Sequence, residues 1–211
     1  MSIDKAYNVW AKQYDTNKNR TRDLDQKSTI ETLSRFPFSN VLELGCGTGK
    51  NTAWLIKKAD SIVGFDFSEE MLKVAKSKVQ SDHVSFQQAD LNNDWEIDNN
   101  AVDLITSSLT LEHIKNLDHI FHQASKKLSD NGYFFISELH PFKQYVGTKA
   151  RYETEEGIQE LEVYIHHISE FITNAESNGF KMVELKEWFD GETENEIPRL
   201  VSFVFIKTPT S

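Results

Sequence analysis

The chain has 211 residues and a mass of 24.3 kDa, a length that suits one domain able to bury a core without a disulfide or metal. Its formal charge of −10, from 23 basic and 33 acidic residues, makes nucleic acid and anionic membranes poor bulk partners. The single cysteine, Cys46, excludes an internal disulfide and a cysteine-based zinc site, and points to a reducing, cytoplasmic compartment. The opening MSIDKAYNVW does not read as a signal peptide, and no apolar run reaches the roughly 20 residues of a membrane helix. The acid is concentrated: residues 153–162 hold five acids and no base, and residues 184–196 hold six acids and one lysine.

In chain order, Leu24–Phe36 reads as a helix ending before Pro37. Short β-branched and aromatic runs predict strands at Asn40–Leu44, Ser61–Asp66, Val84–Gln88, Val102–Ser107 and Gly132–Glu138, with two more at Phe180–Trp188 and Leu200–Lys207. Between them, Ser68 can cap a helix whose first turn carries Glu69 and Glu70 and whose apolar face is Met71, Leu72, Ala75 and Val79. A second helix presents Leu117, Ile120, Phe121, Ala124 and Leu128 and ends at the turn Asp130-Asn131-Gly132. A third presents Ile168, Phe171, Ile172 and Ala175 and stops at Gly179. Alternating strands and helices imply an α/β fold: a Rossmann-like, seven-stranded mixed sheet with helices on both faces. Only the link Asp190–Pro198 separates the last two strands, so the final strand is expected to be antiparallel. Ligands then belong at the C-terminal ends of the strands.

The first strand runs into Glu43-Leu44-Gly45-Cys46-Gly47-Thr48-Gly49. Three alternating glycines allow a tight turn and close approach of a ligand to bare backbone, and the following segment is expected to open a helix whose amides can meet an anion. A dinucleotide site needs G-x-G-x-x-G, but the third glycine would fall at Lys50 or Thr52, so a nicotinamide-nucleotide-binding protein is the weaker alternative.

The spacing E-x-G-x-G-x-G resembles the first motif of class I S-adenosylmethionine-dependent methyltransferases. Ile62–Leu72 is similar to that superfamily's second strand and helix, Ala89-Asp90-Leu91 to the end of its third strand, Asp103–Ile114 to its fourth strand and loop, and Asn131–Glu138 to its fifth strand. Trp10–Asp15 resembles the A-x-x-Y-D segment of the small-molecule, type 11 branch. The resemblance implies S-adenosylmethionine as cofactor and methyl transfer to a small molecule. It implies cofactor contacts from Glu43, Gly45, Cys46, Gly47 and Gly49, with Asp66 on the ribose hydroxyls and Phe67 and Met71 beside the adenine. Asp90 and Leu91 would meet the adenine edge, Ser107 would lie under the methionine part, Tyr14 would come from a lid, and Arg22 would face the carboxylate. A single domain over residues 1–211 is expected, with lid helices in 1–36 and a substrate cap in 139–163.

Methyl transfer from a sulfonium is an in-line displacement in which a base can free the acceptor's lone pair. His113 and His140, after the fourth and fifth strands, are candidates for that base or for substrate contact, and Glu112, Tyr145, His166 and His167 are candidate substrate contacts. The histidines lack metal-ligand spacing, so no metal is expected. Transfer to RNA or protein is the alternative. It lacks support from an Asn/Asp-Pro-Pro-aromatic signature, a Pro-Cys pair or a basic tail. Because the acid gathers outside the cofactor motifs, the acceptor is expected to be neutral or cationic.

Overall fold

The computed structural model describes residues 19–145, 151–154, 157–160, 163–191 and 197–209. In chain order the elements are α1 (Arg20–Leu33), β1 (Asn40–Leu44), α2 (Thr52–Leu55), β2 (Ser61–Asp66), α3 (Glu69–Lys78), β3 (Val84–Gln88) and β4 (Val102–Ser108), followed by a single 3-10 turn at Leu111–His113. They continue with α4 (Leu117–Lys127), β5 (Leu128–Leu139), α5 (Pro141–Tyr145), β6 (Arg151–Thr154), β7 (Gly157–Glu160), α6 (Ile168–Ser177), β8 (Phe180–Trp188) and β9 (Leu200–Lys207). The main sheet has seven strands in the order β3-β2-β1-β4-β5-β9-β8. Strands β1 to β5 pair in parallel, and β9 runs antiparallel to both β5 and β8. The order reverses between β1 and β4, which opens a crevice at their C-terminal ends. β6 and β7 form a separate antiparallel hairpin within the stretch expected to cap the site.

Capping chemistry explains the helix starts. Ser68 accepts from the Met71 amide and Asn116 from the His119 amide, while Glu69, Glu70 and Asp118 sit at the positive ends of α3 and α4. Asn19 accepts from the Arg22 amide, so α1 begins four residues before the expected Leu24 and ends before Phe36. Gly179, at φ +80°, terminates α6 as its sequence suggested. Two expectations need correction. The segment after the glycine turn is a single helical turn, Thr52–Leu55, too short to be a helix-terminal anion site. β5 begins at Leu128: Val102 pairs with Leu128 and Leu104 with Tyr133, so the Asp130-Asn131-Gly132 turn is an irregularity inside the strand, with Asn131 at φ +63°.

The two faces of the sheet are packed differently. On one, α4 and α6 cover an apolar core in which Phe121 meets Phe134, Phe180 and Phe205 edge-on at 5.4–6.0 Å, and Phe171 stacks on Phe203 at 4.9 Å. On the other, a smaller core of Leu33, Val41, Leu55, Ile62, Leu104, Phe135 and Val204 gives way to polar residues towards the strand ends. The buried residues of α1 include Asp25, Ser28, Thr29 and Thr32. Strand alternation sets Glu43, Thr106 and Ser137 on that same face, and the Ser28 and Ser137 hydroxyls bond at 3.0 Å. The hydroxyls of Thr29 and Thr32 are buried without a hydrogen-bond partner.

Replacing an unsatisfied buried hydroxyl by a methyl of the same shape removes a desolvation penalty at no cost in packing. Thr32→Val is therefore expected to stabilise the protein by about 1 kcal/mol, seen as a rise of roughly 2–4 °C in thermal midpoint. An unchanged or lowered midpoint would mean that this hydroxyl is satisfied in solution.

Candidate active site

The glycine turn is built by backbone conformation. Gly45, Gly47 and Gly49 all lie at positive φ, +66°, +53° and +75°. A Cβ on Gly45 would sit 2.1 Å from Thr110 Oγ1, so this glycine is also what lets the loop after β4 close onto the turn. A Cβ on Gly47 would meet nothing within 4 Å, so the turn presents open backbone at its apex. Cys46 donates its amide to the Phe65 carbonyl at 2.9 Å and buries its side chain, and that burial pushes its thiol well above the usual range. A thiol held protonated is a poor nucleophile.

Asp66 ends β2 beside this turn. Its carboxylate accepts from the Gly47 amide at 2.8 Å and from the Ser68 amide at 2.9 Å, joining the glycine turn to the start of α3. Burial pushes Asp66 up to about 6 against those bonds. Met71 is buried next along α3 and Phe67 is half-buried. Asp90 is exposed, with Oδ1 accepting from both the backbone and side-chain nitrogens of Asn92, and Leu91 is buried behind it. Glu43 points into the polar seam under α1, where it accepts from the Thr52 hydroxyl at 2.5 Å. It therefore ties β1 to α2. Ser107, at the end of β4, is fully buried and its hydroxyl has no partner. Arg22 lies on α1 and is largely buried, and Lys50 from the glycine turn reaches α1 through Asp23 at 2.9 Å and the Arg22 carbonyl at 3.3 Å. Tyr14 lies outside the described residues.

A second group forms after β4. The Glu138 carboxylate, buried at the end of β5, accepts from the Leu111 amide at 2.8 Å and the Thr110 amide at 3.0 Å. It fixes the loop carrying Glu112 and His113, in which Leu109 is itself at φ +52°. The extended run before α6 lies along that loop: the Tyr164 amide donates to the Glu112 carbonyl at 2.7 Å, and His166 Nε2 bonds the Ile114 carbonyl at 2.7 Å. His167 bonds the Tyr145 hydroxyl through Nδ1, which draws in α5. The structure thus brings Glu112, Tyr145, His166 and His167 into neighbouring segments joined by hydrogen bonds, with His113 in the same 3-10 turn as Glu112. His140 stands apart. Its Nδ1 accepts from the Phe142 amide at 3.1 Å, which leaves the proton on Nε2 to be donated to Glu187 at 3.0 Å. Burial pushes His140 down, with Glu187 opposing, so both ring nitrogens of a neutral imidazole are engaged. Sequence reading did not single out Asp25 or Glu138. The signal for Asp25 was the polar stripe Asp25, Ser28, Thr29 and Thr32 at helical spacing.

Comparison with known proteins follows this geometry. Residues 42–136 match the methyltransferase-domain family, type 11. An uncharacterized methyltransferase of Emericella nidulans is 29% identical over 86% of this chain and 76% of its own length. A ubiquinone biosynthesis O-methyltransferase of Coxiella burnetii is 28% identical over 80% and 72%. The solved structure of an S-adenosylmethionine-dependent methyltransferase from Mesorhizobium loti superposes with a TM-score of 0.74 at 19% identity, over 87% of this chain and 98% of that one. Residues 42–136 thus carry a type 11 methyltransferase domain, and the fold is that of the solved S-adenosylmethionine-dependent methyltransferases. The chain's residues fit that cofactor: an open left-handed glycine turn, a buried carboxylate ending β2 and an unpartnered hydroxyl ending β4.

Glu43 and Glu138 are both pushed up to about 8. For Glu43 the cause is burial, opposed by the Thr52 hydroxyl and reinforced by Asp25 and Asp66. For Glu138 it is burial, opposed by the Leu111 amide and reinforced by Glu112. A carboxyl raised in the folded state keeps protons that the unfolded chain has released, so stability falls as pH rises from about 4.5 to about 8. His140, pushed down, contributes with the opposite sign below its ordinary value of 6.5. Urea unfolding at pH 5.5 and pH 8 is expected to give the lower midpoint at pH 8, with Glu43→Gln shrinking the difference. An equal difference in wild type and variant would mean that Glu43 is ionised in the folded protein.

Proposed function

We propose that this methyltransferase acts on a small-molecule acceptor, neutral or cationic, held between the loop after β4, α5 and the run before α6. The observation that carries this reading is that the run before α6 lies along the loop carrying Glu112 and His113, with Tyr145 bonded to His167, while the same loop meets the glycine turn at Thr110. Phe142 and Ile165 on the same segments are exposed apolar side chains, of the kind that line a small-ligand site. The name of the Coxiella burnetii relative, an O-methyltransferase of ubiquinone biosynthesis, also supports a small acceptor. Residues 139–163 would cap this site and the N-terminal segment carrying Tyr14 would lid the cofactor.

In this reading Gly45, Gly47, Asp66, Phe67, Met71, Asp90, Leu91, Ser107 and Arg22 would hold the cofactor, with Cys46, Gly49 and Glu43 shaping the turn. When bound, S-adenosylmethionine supplies an electrophilic methyl group on a sulfonium. The chain's own work is to orient the acceptor in line, exclude water and take up a proton where the acceptor carries one. His140 is the weaker candidate for the base, because its Nδ1 lone pair is already used by the Phe142 amide.

Isothermal titration with S-adenosylhomocysteine tests the cofactor half, and Asp66→Ala is expected to weaken binding by about 1.5–3 kcal/mol, roughly 10- to 150-fold. An unchanged affinity would remove Asp66 from the site. A methyl-transfer screen over neutral, cationic and anionic small molecules, with tRNA and a peptide mixture as further arms, tests the acceptor half. Turnover confined to the anionic or macromolecular arms would overturn it.

A further inference from the structure

Among the described residues, Asp25 is the buried carboxylate of the site with one oxygen left without a hydrogen bond of full geometry. It is 5% exposed on α1, facing the strand ends. Oδ2 accepts from the Asn51 side-chain amide at 3.2 Å, and Oδ1 has no hydrogen bond. The Ser137 hydroxyl, bonded to Ser28 at 3.0 Å, and the Ser108 hydroxyl lie beside it at the strand ends and favour its charge, but neither completes a hydrogen bond of full geometry to it. Among the described residues Asp25 makes no ion pair. Lys50 favours its charge from a distance but is already committed to Asp23 at 2.9 Å. Its carboxylate neighbours aggravate the deficit, since Glu43 and Glu138 both feel its charge. An asparagine here would bond Asn51 and the nearby hydroxyls without the cost of a buried charge. A carboxylate is justified by a cation that arrives with a ligand.

Position selects which cation. Asn51 directly follows the glycine turn, and Ser108 directly follows Ser107 at the end of β4, so Asp25 spans the two elements that bracket the amino-acid end of the cofactor. Arg22, one helical turn earlier on α1, is the proposed partner of the carboxylate at that end. We propose that Asp25 binds the α-ammonium group of S-adenosylmethionine, so that Arg22 and Asp25, three residues apart on one helix, read the two charges of its zwitterion. This rests on the assignment of the cofactor.

The experiment compares three ligands by isothermal titration in wild type and Asp25→Asn, a substitution that preserves shape and the Asn51 contact. The ligands are S-adenosylhomocysteine, its des-amino analogue that keeps the carboxylate, and 5′-methylthioadenosine, which lacks the whole amino-acid end. Wild type is expected to bind the des-amino analogue about tenfold or more weakly than S-adenosylhomocysteine, and Asp25→Asn to bind the two within about threefold of each other. Methylthioadenosine should bind both proteins equally, which also confirms that the variant is folded. The proposal is overturned if Asp25→Asn keeps its full preference for the amino group, or if it weakens all three ligands alike, as a merely structural carboxylate would. Failure of wild type to bind any of the three would overturn the cofactor assignment together with it.

Discussion

Four carboxylates, Asp25, Glu43, Asp66 and Glu138, are buried at the C-terminal edge of the sheet, and among the described residues none of them makes an ion pair. Their neutral donors come from two places, the glycine turn with the helix starts beside it and the loop after β4. Asp66 takes the amides of the glycine turn and of the start of α3, and Glu138 takes two amides of the loop after β4. Glu43 takes the hydroxyl of Thr52, and Asp25 takes the amide of Asn51. Without these acceptors the loop amides would be buried and unsatisfied, and each loop would have alternative conformations open to it. The burial that raises the carboxyl pKa values is the same burial that immobilises the site, which is preorganised before any ligand arrives.

The frame was legible in the sequence because β-branched and aromatic runs are bounded by residues that cannot continue a strand. β1, β2, β3, β8 and β9 fall where the apolar runs begin and end, and Ser68 announces α3. The late start read for α1 has a physical cause. The start of α1 carries no apolar periodicity, since its buried face is Arg22, Asp25, Ser28, Thr29 and Thr32, so a search for hydrophobic spacing placed the helix four residues late. The glycine turn and Asp66 stood out because their spacing is fixed by local geometry. Asp25 and Glu138 did not, because their meaning depends on partners 26 and 27 residues away, Asn51 and Leu111.

The acidic balance also changes meaning once contacts are known. In the run 184–196, Glu184 makes a bidentate pair with Arg35, Asp190 does the same with Arg199, and Glu187 accepts from His140. Arg199 in turn reaches Thr21 on α1 at 3.1 Å. Half of that run's acids therefore pin β8, the β8–β9 link and α1 around the site, where a purely solvating role would leave them unpaired. Exposed pairs of this kind contribute little stability individually, but they fix orientation where two arginines engage both carboxylate oxygens.

The unequal faces of the sheet follow from the same division. The face under α4 and α6 carries the phenylalanine cluster and the larger share of buried apolar surface, so it provides most of the fold's stability. The face under α1 sacrifices apolar contact for hydroxyls and carboxylates, several unsatisfied, which by the usual accounting is destabilising. A helix docked on so polar a seam is held weakly by its own contacts and gains most from any ligand that supplies the missing charge. The apolar face can thus tolerate a polar face opposite it, whose unsatisfied groups are free to meet what occupies the crevice. This is the expected trade between stability and function when one domain must carry both.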